Sequence, residues 1–297
     1  MYYLQRINLN RRRRSLATRQ LGKYLMNMFS FVAGRGAARW VSARILVAAC
    51  LVGASAIGSS ITTAQTVPLN DTGIIICYGP NVPCDPVQHK KQDAMVGRDA
   101  AARTAGSGLT TTTGKGFSFT KLSHLSGTPL PDSAVLGTNT GDWACTRDNV
   151  TGLIWEVKTT SSTNFRYFGN SYTWYNPDPS KNGGNAGVAN GGACSNAGRC
   201  DTQKYIDDLN ATNLCGQSNW RLPLPKEGIS IVDYGAQTRP SVMGVFFPNL
   251  VQNTWYWSPL TYASDSNLAW GVNFTDGTAN VPGKSDGSYR ILAVTRP

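Results

Sequence analysis

Apolar and polar positions are spread unevenly along the chain, and the unevenness divides it. Ile45 to Ile57 is a thirteen-residue apolar stretch diluted with Ala, Gly and Ser. From Gln65 to about Gly116 little periodicity is visible, and the stretch ends in the Gly-, Ser- and Thr-rich run 106–116, a linker composition. Order returns at Phe117. Leu153-Ile-Trp-Glu-Val157 alternates as a strand with Leu153, Trp155 and Val157 on one face. Asp201 has the side chain of a helix cap, and the residues after it place Tyr205, Ile206 and Leu209 inward and Asp207 and Asp208 outward, predicting a helix to about Asn213.

The residue before Pro223 is held extended, whereas Pro225 suits the first turn of a second helix that carries Ile229 and Val232 and stops near Gly235. Gly228 weakens that helix. Strands follow at Trp255–Ser258, at Ala269–Thr275 with Trp270, Val272 and Phe274 alternating, and at Tyr289–Val294. Helices followed by clustered strands predict an α+β domain over residues 117–297. Seven of the eight tryptophans fall between Trp143 and Trp270, which implies one aromatic core within the usual domain size.

Charge changes the picture of the front of the chain. The net +11 suggests a partner of opposite sign, yet residues 1–64 hold ten Arg and Lys and no Asp or Glu. That leaves 18 of the 28 basic side chains against all 17 acidic ones, a net charge of +1. A near-neutral body lacks the footprint of a nucleic-acid binder. A basic stretch, a short apolar run and the small residues Thr62-Thr63-Ala64 read as a secretory leader over 1–64, with 65–116 as an irregular extension and linker. The apolar run is shorter than the about 20 residues of a membrane span, so any membrane contact would be through an uncleaved leader. Met26 or Met28 would each begin a more ordinary signal. Arg11 to Arg14 lie far from the apolar run for a twin-arginine signal, and Val47-Ala-Ala-Cys50 has the form of a lipidation box. The expected location is the periplasm, the cell surface or the medium.

Removal of the leader leaves Cys77, Cys84, Cys145, Cys194, Cys200 and Cys215, an even number in an oxidising compartment. Many pairings are open. The set favoured by sequence proximity is Cys77–Cys84 and Cys194–Cys200, leaving Cys145–Cys215. Zinc is disfavoured, because no C-x-x-C pair occurs and the histidines are His89 and His124 alone.

Candidate chemistry is sparse. Both histidines precede the strongest motifs, and the glutamates are Glu156 and Glu227, the latter at a helix start where a carboxylate is ordinarily structural. Trp220 and Arg221 are candidates for a ligand platform, as an aromatic face beside a guanidinium fork. In Trp255-Tyr-Trp257 alternation aims Tyr256 away from its neighbours. The 25 residues 176–200, with six Gly and five Asn, form a loop long enough to be functional or disordered, and Asp178, Asn182 and Asn185 within it are a conceivable calcium set.

Cys145-Thr-Arg-Asp-Asn-Val-Thr-Gly-Leu-Ile-Trp-Glu156, Tyr172-Thr-Trp-Tyr175, Cys215-Gly-Gln-Ser-Asn-Trp-Arg-Leu-Pro223, Trp255-Tyr-Trp-Ser258 and Ala269-Trp-Gly-Val-Asn-Phe274 occur in an order that resembles the bacterial Lcl C-terminal domain family, named for the tail of a collagen-like surface adhesin. The resemblance covers about Phe117 to Val294. It implies a C-type-lectin-like fold with two helices and a small, mostly antiparallel sheet, a class that includes formylglycine-generating enzymes and hypervariable phage receptors. Arg221-Leu-Pro-Leu-Pro-Lys-Glu227 is similar to a segment shared across that class, with Leu224 in place of Thr and Gly228 where Leu is common. No cysteine follows Cys215 to supply formylglycine-generating chemistry, and the Glu-Pro-Asn or Gln-Pro-Asp loop of calcium-dependent lectins is absent. The expectation is therefore an exported, non-enzymatic adhesion module that binds a glycan, a polyanion or a surface protein. A glycan-modifying or oxidising enzyme and a structural envelope protein are the alternatives.

Overall fold

The computed structural model describes residues 70–74, 77, 91–104, 116–242 and 244–297. The expected leader, Cys50, Cys84, His89 and the run 106–115 lie outside the described residues. Among the described residues no helix is long and apolar enough to cross a membrane.

The architecture is α+β, as the pattern predicts. Five strands, β1 (Phe119–Ser123), β2 (Pro129–Leu130), β3 (Trp143–Asp148), β4 (Ile154–Glu156) and β8 (Val294–Thr295), form an antiparallel sheet in the order β2-β1-β3-β4-β8. A second antiparallel sheet has the order β5-β6-β7, from β5 (Tyr256–Tyr262), β6 (Asp265–Asn273) and β7 (Thr278–Asn280). A short helix α1 (Gly97–Thr104) precedes both, within the stretch read as extension.

The two helices expected in the domain are present. In α2 (Thr202–Ala211) the Asp201 carboxylate accepts the Lys204 amide at 2.9 Å, satisfying a backbone donor that helix geometry leaves free. Helix α3 (Pro225–Ile229) is shorter than predicted and ends well before Gly235. Its N-cap is Leu224, which has no side-chain acceptor, so the Glu227 carboxylate takes the Leu224 amide instead, at 2.8 Å. Gly228 has a use that its low helix propensity hides. A Cβ there would lie 3.2 Å from Val272 Cγ2, so the glycine lets α3 lie close on β6.

The core is double. One cluster contains Ala144, Ile154, Tyr172, Trp174, Tyr205, Trp220, Trp257, Ile291 and Ala293, all buried. The other contains Phe117, Phe119, Leu153, Trp155, Phe246, Phe247, Tyr256, Leu292 and Val294. Consecutive residues 153–155, 256–257 and 291–294 alternate between the clusters, so these segments form a middle layer with apolar packing on both faces. A layer covered on both sides reads as a continuous hydrophobic run, because both faces are excluded from water. The strand bonds continue across it: Trp257 N donates to Arg290 O at 2.9 Å and Arg290 N to Trp255 O at 2.8 Å.

Cys145–Cys215 and Cys194–Cys200 are bonded as expected. The first closes 70 residues and ties β3 to the segment after α2, which in the chain-entropy view stabilises by roughly 4 kcal/mol. Cys77 is also disulfide-bonded. The folded unit reaches back beyond Phe117: Tyr234 N donates to Thr72 O at 2.8 Å, and Asn70 Nδ2 to Asp148 Oδ2 at 2.6 Å. Residues 70–74 are thus packed rather than part of a free linker.

Candidate functional site

On the side of the tryptophan-rich cluster, an open cleft of about 140 Å³ lies where four segments meet. Trp174, Tyr175 and Asn176 form one wall, and Thr202, Gln203 and Ile206 of α2 form the next. Arg221 and Leu222 supply the third, and Pro259 of β5 closes it. Each wall is fixed by the backbone. Thr202 Oγ1 donates to Tyr175 O and accepts from Tyr175 N, both at 2.9 Å, locking the aromatic wall to the start of α2. Arg221 and Val294 exchange both backbone bonds at 2.9 Å, which sets the third wall against β8.

The charge in the cleft is internally balanced. Arg221 Nη1 and Nη2 each donate to a separate Glu227 oxygen at 2.7 Å, a bidentate pair. Although half-burial acts to raise it, the Glu227 carboxyl is held below its ordinary value by Arg221 and the Leu224 amide. Gln203, whose Nε2 donates to Asp207 at 2.8 Å, and the half-exposed Tyr175 and Asn176 complete the rim.

The long loop 176–200 is ordered, and its organiser is a cation belonging to the chain. Lys284, only 2% exposed, has its ammonium 4.0 Å from the Trp174 ring centroid and donates to Asn182 O at 2.8 Å and Asn185 O at 2.7 Å. Burial lowers its pKa to about 8. At the far end Cys194–Cys200 and Asp201 pin the loop: Asp201 Oδ2 accepts Asn190 N at 3.1 Å while Oδ1 caps α2.

This arrangement redirects Asp178, Asn182 and Asn185. Each side-chain oxygen turns back on its own loop. Asp178 takes Lys181 and Ser180, which together hold its carboxyl at about 2, Asn182 Oδ1 takes Gly184 N at 3.0 Å, and Asn185 Oδ1 takes Gly187 N at 2.8 Å. Among the described residues no group of three or more His, Cys, Asp and Glu side chains is placed to hold a metal.

Two other expected ligand contacts are corrected by burial. Trp220 is 2% exposed; its indole donates to Gln217 O at 3.2 Å and Asn210 brackets its backbone, so its ring is core and only its neighbour Arg221 reaches the cleft. Tyr256, also 2% exposed, packs edge-on against Phe274 with its hydroxyl accepting Val251 N at 2.8 Å. It points away from Trp257 as alternation requires, but into the second cluster rather than into solvent. Tyr175, Asn176, Gln203, Ile206 and Pro259 are not ligand candidates by sequence. The signal that could have found them is the helical stripe Gln203–Ile206, which borders the buried stripe Thr202–Tyr205–Leu209.

Glu156 is wholly buried. It accepts Lys158 Nζ at 3.1 Å, the Tyr205 hydroxyl, and Ala293 N at 2.7 Å, a set of donors that fixes β4 to α2 and the chain before β8. Burial lowers Lys158 to about 8 and raises Tyr205 well above its ordinary value. His124 is lowered by burial and then by Arg166, against Asp142.

Fold and cleft together define a small, disulfide-stapled α+β domain that presents an ordered loop beside a mixed apolar and polar cleft. The chain belongs to the Lcl C-terminal domain family, whose model matches residues 144–295. No curated protein and no solved structure matches the chain.

Proposed function

We propose that the chain is an exported, non-enzymatic binding and adhesion module that takes a glycan, a polyanion or a protein ligand at the cleft bounded by Tyr175, Gln203 and Arg221. The observation that supports this reading is the contrast in what is exposed. The cleft offers an aromatic edge, amides and a guanidinium, whereas Glu156 is fully buried and Glu227 is engaged by Arg221 and the α3 terminus. A two-carboxylate hydrolase needs both acids in contact with substrate. The disulfides are compatible with an oxidising compartment outside the cytoplasm.

The test is an array of neutral and sulfated glycans and surface proteins, run beside a panel of glycosidase and esterase substrates. Retention without turnover is expected. Turnover that Glu227→Gln abolishes would overturn the reading.

A further inference from the structure

We propose that a second pocket, separate from the cleft, takes a small apolar carboxylic acid: one ring or one branched alkyl chain ending in a carboxylate. The pocket lies between residues 70–72 and the stretch 226–234, which runs from α3 through the turn after it, and has a volume of about 200 Å³. None of its lining residues borders the cleft. One of its walls precedes the residues 144–295 that the family model matches, so the pocket belongs to this chain's own combination of extension and domain.

The walls are fixed without a ligand. Tyr234 N donates to Thr72 O at 2.8 Å and Asn70 Nδ2 to Asp148 Oδ2 at 2.6 Å, so the 70–72 wall is tied at both ends. Gly235 permits the close approach, since a Cβ there would lie 2.2 Å from Gly73 O. The lining surface is almost wholly apolar, with Ile229, Val232 and the Tyr234 ring in it. Its polar side chains contribute little because their ends are engaged elsewhere: the Thr72 hydroxyl donates to Asp93, the Ser230 hydroxyl to Glu227 O at 2.7 Å and the Tyr234 hydroxyl to Gly277 O at 3.1 Å, while Asn70 Oδ1 is closed from solvent. An apolar cavity of about 150 Å³ accepts benzene, so this pocket has room for a ring and a short side chain.

The sign of the ligand follows from the two charged lining residues, Asp71 and Lys226. Asp71 is already engaged by the protein: Oδ1 accepts Thr72 N at 3.0 Å and Oδ2 accepts Arg98 N. Lys226 is exposed, and among the described residues its ammonium has no hydrogen-bond or ion-pair partner. A ligand with an apolar body against Ile229 and Val232 and an anionic end would give that ammonium its counter-charge. An amine would meet like charge there, and a neutral ligand would gain burial alone.

The experiment titrates the full chain with phenylacetate, isocaproate, neutral phenethyl alcohol and cationic phenethylamine, read by amide shifts at 70–72 and 226–234, with Lys226→Met and Ile229→Trp as variants. Expected is millimolar binding of both acids, with phenylacetate about threefold tighter than the alcohol, the size of one exposed ion pair. Lys226→Met should erase that preference and keep the alcohol's affinity, and about 0.5 M salt should shrink it. Ile229→Trp, which fills the pocket, should weaken every ligand at least about tenfold. Equal binding of acid and alcohol, or tighter binding of the amine, overturns the charge argument. Shifts confined to other residues, or full affinity in a folded Ile229→Trp, overturn the pocket assignment; should that variant not fold, Lys226→Met at its exposed position decides. No binding of any of the four at about 20 mM overturns the inference outright. Each of these failures leaves the cleft reading untouched, because the two sites share no lining residue.

Discussion

The two clusters flanking the middle layer are packed by different chemistry. In the tryptophan-rich cluster the large aromatics carry polar handles that are used: Trp174 Nε1 donates to Ser258 O at 2.9 Å, Trp257 Nε1 to Tyr172 O at 2.8 Å, and the Tyr172 hydroxyl to Phe165 O at 3.0 Å. The two indole bonds join segments far apart in sequence, and the Tyr172 bond closes a local turn. The other cluster is built mostly on rings without handles, with Tyr256 the exception: Phe119 lies against Phe247 at 5.1 Å and Phe246 at 5.6 Å, and Trp155, its one tryptophan among the described residues, has no partner for its indole nitrogen. Dispersion and burial hold the second side; directional bonds position the first. The cleft lies on the directional side, where a wall that slid by an ångström would spoil a binding site.

Glu156→Gln should have the largest effect on this comparison, because Lys158 Nζ, the Tyr205 hydroxyl and Ala293 N all donate to it, and an amide cannot accept from all three. A loss of about 4 kcal/mol, read as a lower urea midpoint, is expected for a buried pair left with one partner. Lys284→Met comes next, at about 3 kcal/mol, since Asn182 O and Asn185 O both lose their buried donor. In that variant amide exchange should rise across 176–192 and stay unchanged around Phe246 and Phe247. For the intact protein, a chelator is expected to leave the thermal midpoint where it is. A matched pair sharpens the contrast most directly: Trp257→Phe should cost about 2 kcal/mol, whereas Trp155→Phe should cost about 1, because only the first strands an acceptor. Equal losses would erase the distinction between the two sides.

The smallest effect is on pH dependence. Lys158 and Lys284 titrate at about 8 when folded against an ordinary 10.5, so between those values the unfolded chain binds more protons, and these groups add stability as pH rises. Tyr172 and Tyr205 are raised above their ordinary 10.0 by burial, so above that pH the unfolded chain loses protons first and stability falls. Urea melts from about pH 7 to about pH 11 should show the rise and then the fall, and Lys284→Met should flatten the rise.

Much of the scaffold was legible because it is written in local rules. Asp201 reads as a cap, Pro225 as a first turn, and Cys194 and Cys200 as neighbours, and all three are so placed. Tyr256 was misread for a physical reason: alternation says which face a residue takes, whereas only tertiary packing says whether that face meets water. The first residues of β5, Tyr256 and Trp257, have cover on both faces. Lys284 was invisible for a related reason, since nothing near Gly283-Lys-Ser285 announces that its ammonium reaches carbonyls about a hundred residues earlier. The cleft gathers residues from four separate segments, of which only Arg221 is a ligand candidate by sequence.

The backbone bonds between Arg221 and Val294 have a consequence for the order in which the molecule is finished. During synthesis the aromatic wall and α2 emerge long before the stretch around Val294, so until that stretch leaves the ribosome the third wall has nothing to lie against. The cleft is therefore completed late, and a nascent or clipped chain lacking those residues would have nearly every ligand-facing side chain and no assembled site.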